Sequence, residues 1–218
     1  NHVVGGAVNA ADLSTGYINT SATFNGEADA PLSMYVNTSE GVMLNGISSV
    51  TTADVSADNG VIHIVDAVIT LPSVVTFAAA DAATFSELVG ALTRADQPDY
   101  VSVLTTANGT APAPFTVFAP TNQAFADLYA ELGVAGIDDV DGAILTATLN
   151  THVVAGANVR AEDLVTGTVA TLGDAVEIDA TTAIITDPNG RTSQVIVTNV
   201  QAANGVIHAI DTVLLPQL

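Results

Sequence analysis

Apolar positions in the first third of the chain come in short runs bounded by turn residues, a pattern typical of β-strands. Four such runs predict two strand pairs: 33–36 with 41–44, and 50–55 with 61–69. The second pair joins through Asn59-Gly60, a turn signal because both residues tolerate positive φ. The pattern therefore predicts an all-strand arrangement for residues 1–72.

The next segment changes to helical periodicity. Apolar side chains recur at i, i+3, i+4 and i+7, which predicts a helix over 79–95. Three further helices and one strand are predicted: helices over 100–105, from Thr121 and over 138–149, and a strand over 115–120 that Pro120 ends. After His152 the pattern returns to short strands. Helices followed by antiparallel strands indicate an α+β fold.

The chain contains an internal repeat. Asn59-Gly60-Val61-Ile62-His63 recurs 145 residues later as Asn204-Gly205-Val206-Ile207-His208, and the likeness extends to the closing prolines, Pro72 and Pro216. His2-Val3-Val4 likewise matches His152-Val153-Val154. A repeat of this length indicates a duplicated domain and not a solenoid unit. Residues 1–72 therefore correspond to 151–216, and residues 73–150 have no upstream counterpart.

Three motifs resemble those of the fasciclin domain family. They are Phe115 to Phe125, the segment Leu149 to Val154, and Asn204 to Pro216. The resemblance implies a β-wedge or sandwich of about seven strands with helices packed on one side. It also implies that residues 1–72 are the C-terminal half of such a domain and that 73–218 are a complete one. Thr151 departs from the family, which has a tyrosine there.

A half domain leaves apolar surface to be covered. The strand predicted over 61–69 is apolar on both faces, and each bare large side chain forgoes ~1.5–3 kcal/mol of burial. Two explanations stay open: the sequence is a fragment of a tandem array, or another chain supplies the missing half.

Charge excludes several classes of partner. The chain carries 23 acidic residues and three arginines, with no lysine, and its net charge is -20. Such a chain repels nucleic-acid phosphates and anionic lipids. Its apolar runs are too short to span a bilayer, so membrane insertion is not predicted. The acids predict a solvated surface, with weak Ca2+ binding as the alternative and no other cofactor.

The four histidines form two equivalent pairs, His2 with His152 and His63 with His208. We predict buried structural histidines that are hydrogen-bonded to backbone or carboxylate groups, because their spacing suits no metal site. Two further equivalent residues, Asp66 and Asp211, fall within the predicted strands. As buried carboxylates they would tie down a loop or a helix N-terminus.

Other polar residues have local roles. Asn122 is predicted to cap the helix that follows Pro120, with Thr121 as the other candidate. Asn-x-Ser/Thr sequences occur at Asn19, Asn37 and Asn108, and Asn108 is the best glycosylation candidate because its loop is predicted to be exposed.

The resemblance to fasciclin domains, together with these features, implies a non-enzymatic extracellular or cell-surface protein built of tandem fasciclin-like domains. Its partners would be other protein chains, either copies of itself or matrix components, in adhesion, matrix building or fibre formation. An enzyme is not predicted, because no catalytic constellation is assembled by the motifs. The alternative is a secreted carrier of a hydrophobic small molecule or pigment, which would need an open apolar pocket.

Overall fold

The computed structural model describes residues 1–217. Leu218, the last residue of the predicted second domain, lies outside the described residues. The fold has two sheets, one formed within residues 1–72 and one by residues 115–210, and five helices that pack on the second sheet.

The first sheet has five antiparallel strands in chain order. They are β1 Gly16–Thr23, β2 Pro31–Asn37, β3 Met43–Leu44, β4 Ser48–Ala57 and β5 Gly60–Val65. Both predicted hairpins are present, but the last strand ends at Val65 and not at residue 69. Because β5 comes last in the sheet order and pairs only with β4 among residues 1–217, it lies at the edge of this sheet.

The second sheet has seven strands in the order β7-β6-β12-β11-β10-β9-β8. The bounds are β6 Phe115–Pro120, β7 Val153–Ala155, β8 Gly167–Val169, β9 Val176–Asp179, β10 Ile184–Thr186, β11 Thr192–Ala202 and β12 Gly205–Ile210. β12 pairs in parallel with β6 over six residues, and the other pairs are antiparallel. The α+β prediction with about seven strands and helices on one side is confirmed.

Five helices precede or separate the strands of the second sheet. They are α1 Val74–Ala80, α2 Ala82–Thr93, α3 Tyr100–Leu104, α4 Asn122–Leu132 and α5 Gly142–Thr151. The single helix predicted over 79–95 is wrong in its start, because α1 and α2 meet at Asp81 with a bend of 120°. The helix predicted from residue 138 begins later, because the Asp141 side chain caps α5 at the backbone N–H groups of Ala143 and Ile144.

Two hydrophobic clusters cover the faces of the second sheet. The larger lies between the helices and the sheet and contains Phe77, Phe115, Phe125, Leu149 and Ile207. The smaller lies on the other face and is formed by Phe118, Val154, Val176, Ile178, Ile185, Val195, Ile210 and Leu214. β12 therefore has both faces buried, as its apolar run predicts.

The two sheets belong to one packed structure. Tyr35 of β2 is buried in the larger cluster, and the ring of Tyr17 packs edge-on against Phe77 at a centroid distance of 5.6 Å. The backbone N–H of Gln201 donates to the Ser33 hydroxyl at 3.0 Å. We call residues 1–72 the first unit and residues 73–217 the second unit. Side chains of β1 and β2 thus form the junction with the second unit, and β4 and β5 do not contribute to it.

Three arginines connect distant segments. Each guanidinium donates to a backbone carbonyl: Arg94 to Ile137 and Val140, Arg160 to Asp29, and Arg191 to Val213. Each also pairs with a carboxylate: Arg94 with Asp96, Arg160 with Glu162, and Arg191 with Glu131. These contacts fix loops of the second unit and one loop of the first.

Among residues 1–217, no single helix combines the length and apolar character that a membrane crossing requires; only the bent pair of α1 and α2 meets that requirement, and by length and composition alone.

Candidate functional site: an open sheet edge

The β4–β5 pair repeats the β11–β12 pair in detail. Both pairs carry two register shifts at equivalent places, within 50–55 and within 195–200. Asp54 and Asn199 occupy the same position within the second shift of each pair, with φ of 60° and 58°. Each of their side chains accepts a hydrogen bond at 2.8 Å, from the backbone N–H of Ala10 or Ala161. The repeat is therefore a repeat of local structure as well as of sequence.

The histidines make matching hydrogen bonds in the two units. Nε2 of His2 accepts from the N–H of Ile69, and Nε2 of His152 accepts from the N–H of Leu214, each at 3.0 Å. Nε2 of His63 lies 2.9 Å from the Val8 carbonyl oxygen, and Nε2 of His208 lies 2.9 Å from that of Val159.

Burial separates these equivalent histidines. His152 and His208 are buried, whereas His63 is half-buried and His2 is exposed. The prediction of four buried histidines was therefore wrong for His2 and His63. Burial lowers the pKa of His152 to about 4, and burial also lowers the pKa of His208.

The histidines of the second unit are structural in their contacts. Nδ1 of His152 lies 2.8 Å from the Thr148 carbonyl oxygen, so both of its ring nitrogens are engaged with backbone groups. His208 is held in the same way, between the Val159 carbonyl and the Asn199 N–H. Neither ring has a nitrogen left to accept a proton from a substrate.

Asp66 and Asp211 differ from their prediction. Both are exposed and follow the last residue of their strand, so neither is a buried mid-strand carboxylate. Asp66 accepts from the N–H of Ser49 at 2.7 Å, and Asp211 accepts from that of Gln194 at 2.8 Å. Each therefore ties its strand end to the neighbouring strand and not to a loop or helix N-terminus.

The structure separates the roles of Thr121 and Asn122. Thr121 is the N-cap of α4, and its hydroxyl accepts from the N–H of Ala124. The Asn122 side chain instead accepts from the N–H of Glu87 at 2.9 Å and donates to carbonyls of α2. It joins two helices, so the second candidate, Thr121, is the cap.

The three glycosylation candidates are unequally accessible. The loop around Asn108 is exposed as predicted at Ala107, Gly109 and Thr110, but Asn108 itself is half-buried and its amide donates to the side chain of Asn25 at 2.7 Å. Asn37 accepts hydrogen bonds from Ser39. Asn19, on β1, is the exposed one.

The face of the first sheet that corresponds to the helix-covered face of the second is exposed. Four apolar side chains on it are 39–75% exposed: Val55, Ile62, Ile64 and Val68. Their counterparts 145 residues later are at most 4% exposed and lie in the cluster beneath the helices: Val200, Ile207, Ala209 and Val213. We call the four residues of the first unit the open face.

A cavity lies on the other side of β5. It has a volume of about 290 Å³ and is lined mainly by aliphatic side chains together with His2 and His63. Four lining residues are equivalents of residues in the smaller hydrophobic cluster of the second sheet, the one that contains Phe118. Val4, Val50, Val65 and Ile69 correspond to Val154, Val195, Ile210 and Leu214. The Phe118 ring stacks on His208 at a centroid distance of 6.0 Å. The cavity therefore occupies the position that corresponds to Phe118.

The backbone edge of β5 is open as well. Within residues 1–217, β5 pairs only with β4, whereas β12 pairs with both β11 and β6. Gly60 and Gly205 show the difference directly. A Cβ added at Gly205 would lie 2.3 Å from the Phe115 carbonyl oxygen, but one added at Gly60 would meet nothing within 4 Å. The open face, the cavity and this edge all include residues of β5.

Sequence reasoning missed one polar cluster at the junction of the units. The hydroxyls of Tyr17 and Tyr35 donate to the two oxygens of Asp81, at 3.1 and 3.0 Å. Asp81 is buried where α1 meets α2. Burial, with the nearby Asp81 charge, raises the pKa of Tyr35 to about 12 and that of Tyr17 further. No local sequence signal indicates this cluster, because its three residues are far apart in the chain.

Carboxylates do not gather into a metal site in the described part of the chain. Residues 1–217 contain no group of three or more His, Asp or Glu side chains that could hold a metal ion. In the densest acidic segment, Asp139 accepts from the N–H of Ala135, and Asp141 caps α5. Weak Ca2+ binding stays a prediction.

Comparisons with known proteins agree with this architecture. The Fasciclin domain family matches residues 1–72 and 83–216. An uncharacterized protein of Synechocystis is 34% identical over 146 residues, which are 66% of this chain and 98% of that protein. The cell surface glycolipoprotein MPB83 of Mycobacterium bovis is 35% identical over 146 residues, 65% of this chain and 60% of that protein.

A solved structure shares the fold. It is the fasciclin domain pair of the insect cell adhesion molecule Fasciclin I, with a TM-score of 0.55 and 22% sequence identity. The match covers 86% of this chain and 67% of that chain. With both segments of the sequence matched by the family and the fold shared with a solved pair, the chain belongs to the fasciclin domain family.

Proposed function

We propose that this chain acts outside the cell as a non-enzymatic adhesion or matrix protein, in which tandem fasciclin units bind one another or other proteins and build fibres. In this proposal residues 1–72 are the C-terminal half of one unit and 73–218 are a complete unit. Supporting names among its relatives are a cell surface glycolipoprotein and a cell adhesion molecule.

The observation that carries the proposal is the open face. Its four aliphatic side chains lie side by side on β4, β5 and the segment after β5, and each is at least 39% exposed. Exposed apolar side chains that are neighbours on one sheet face are typical of a protein-binding site. With a net charge of -20, the rest of the surface keeps such a molecule soluble while the open face contacts a partner.

Bead clustering tests adhesion. Beads coated with the chain are expected to cluster, or to attach to surfaces coated with matrix proteins, and beads coated with the Ile64→Glu variant are expected to do so less. Ile64 is half exposed, so the variant should keep its fold, which circular dichroism checks. Coated beads that neither cluster nor attach to any matrix surface would contradict the proposal. Repeating the assay with a chelator and then with added Ca2+ tests the cation prediction.

A carrier of an apolar small molecule is the second candidate, favoured by the cavity of about 290 Å³. This volume is just below the usual range of ligand pockets, which is about 300–1,000 Å³. Titration with an environment-sensitive apolar dye tests it. A carrier would bind the dye saturably with one site per chain. The Met34→Trp variant would lose that binding, because Met34 lines the cavity and the larger side chain would occupy part of its volume.

A further inference from the structure

We propose that the open edge of β5, with the open face and the cavity beside it, is a docking site for a polypeptide of the same kind as residues 74–151. We call this polypeptide a front-half segment: an apolar helical layer and an extended strand that carries a phenylalanine. The inference deepens the proposed function by naming the partner. Its role in adhesion rests on that function, whereas the binding itself does not.

The backbone edge specifies an extended strand. In the second unit β6 pairs in parallel with β12, from Gly205 opposite Phe115 to Ile210 opposite Pro120. β5 has the same length, the same register shifts in its partner strand, and no strand on this side among residues 1–217. Unpaired N–H and C=O groups along a sheet edge are a template for an added strand.

The cavity specifies the side chain that the strand must carry. Phe118 of β6 fills the equivalent position in the second unit, where its ring stacks on His208. His63, the equivalent histidine, lines the cavity with its hydrogen bonds to Val8 and Asp54 already made. A phenylalanine placed opposite His63 would fill apolar space without leaving a polar group unpaired.

The open face specifies the helical layer. Each of its four residues has a counterpart covered by helices in the second unit. A small molecule in the cavity would leave this face and the strand edge uncovered. A second folded copy of this chain has its own β6 buried between β7 and β12, so that strand is not free to dock. A front-half segment is the occupant that satisfies all three parts of the surface.

A strand peptide tests the proposal on the full chain. The probe is a synthetic peptide with the sequence of residues 113–122, and its binding is measured by fluorescence anisotropy. We expect saturable binding at one site per chain. Replacing the phenylalanine that corresponds to Phe118 with alanine should weaken binding about tenfold or more, because that ring supplies most of the newly buried apolar area.

Disulfide trapping tests direction and register. The chain has no cysteine, so an Ile64→Cys variant carries one thiol. Ala209, the counterpart of Ile64, pairs with Ala119, so a peptide with cysteine in place of Ala119 should cross-link. A peptide with cysteine in place of Phe115 should not, since only a reversed strand would bring that position near residue 64.

Gly60→Ala supplies the matched control. The added methyl meets nothing in the chain itself, so the variant should unfold within about 4 °C of the parent and not below it. It should nevertheless weaken peptide binding about tenfold or more, because the same Cβ at Gly205 would collide with the Phe115 carbonyl.

Several results would overturn the proposal. They are absence of peptide binding, equal binding by the Gly60→Ala variant, equal cross-linking by both cysteine peptides, and disulfide dimers of Ile64→Cys in place of peptide adducts, which would make a second copy the occupant. Peptide binding without bead clustering would refute the proposed function and leave this inference standing. Clustering without peptide binding would do the reverse.

Discussion

At the scale of single residues, identical hydrogen bonds lie at different depths in the two units. His2 and His152 each accept from a backbone N–H at 3.0 Å, but His2 is exposed and His152 is 3% exposed. The sequence could predict the pairing, because the flanking residues repeat. It could not predict the burial, because burial of His152 depends on β6 and α5, which have no counterpart near His2.

We predict that His152→Ala lowers the free energy of unfolding by about 2–4 kcal/mol at pH 7, since it empties a buried site and leaves the Leu214 N–H unpaired. His2→Ala should cost less than about 1 kcal/mol. Chemical denaturation of both variants measures the difference, and equal costs would mean that burial does not govern these sites.

Burial of His152 also makes the free energy of unfolding depend on pH in mild acid. An unfolded histidine titrates near its ordinary pKa of 6.5, whereas His152 titrates at about 4 in the fold. Between these values the unfolded state binds the extra proton, so stability falls as the pH drops from 6.5 to 4, by about 3 kcal/mol in total. The stability difference between the parent and His152→Ala, followed over this window, should shrink as the pH falls.

At the scale of elements, the predictable parts are those with strong local signals. Both Asn-Gly signals mark their hairpins, but the turns lie at residues 58–59 and 203–204, and Gly60 and Gly205 begin β5 and β12 without a positive φ. Thr121 begins its helix where Pro120 ends the strand. The bend at Asp81 was missed because apolar residues continue through it without a glycine or proline. The helix predicted over 138–149 begins only at Gly142, because Asp141 caps it, and Ile144 in its first turn is 42% exposed.

The two repeat glycines give an element-scale prediction. Gly205→Ala should destabilise the fold by about 3 kcal/mol, because its Cβ would press on the β6 backbone. Gly60→Ala should change stability by less than about 1 kcal/mol, and in the stabilising direction if it acts through the unfolded chain. Denaturant titration of both variants tests the pair. A comparable loss in both would mean that β5 already has a neighbour on its open side.

At the scale of the whole molecule, the first sheet is tethered to the second unit through its β1–β2 end. Tyr17, Tyr35 and Asp81 meet there although 46 and 64 residues separate the tyrosines from the aspartate. No local periodicity brings such distant residues together, so sequence analysis could not identify the cluster. The repeat could indicate the two units but not how they pack against each other.

This junction should loosen in alkali. Unfolded tyrosines ionise near pH 10, whereas Tyr35 stays protonated to about pH 12 because burial and the Asp81 charge oppose its ionisation. The unfolded state therefore loses its proton first, and the stabilisation present below pH 10 is lost as the pH rises toward 12. Ultraviolet absorbance of tyrosinate, recorded beside thermal unfolding, follows both events.

Asp81→Asn is the matched control, because it keeps hydrogen-bonding capacity and removes the charge. Its tyrosines should ionise at lower pH than those of the parent. An unchanged titration curve would show that the Asp81 carboxylate has no influence on the junction.

The hydrogen-bonded, ion-paired arginines determine how trypsin can digest this chain. Trypsin finds only Arg94, Arg160 and Arg191 in this chain, and their side chains are 13%, 14% and 22% exposed. The first 93 residues carry no tryptic site at all, so each cleavage reports on the opening of one loop elsewhere. Tryptic cleavage therefore reports opening of the second unit selectively. The appearance of a fragment of residues 1–94 would show when the segment around Arg94 first opens.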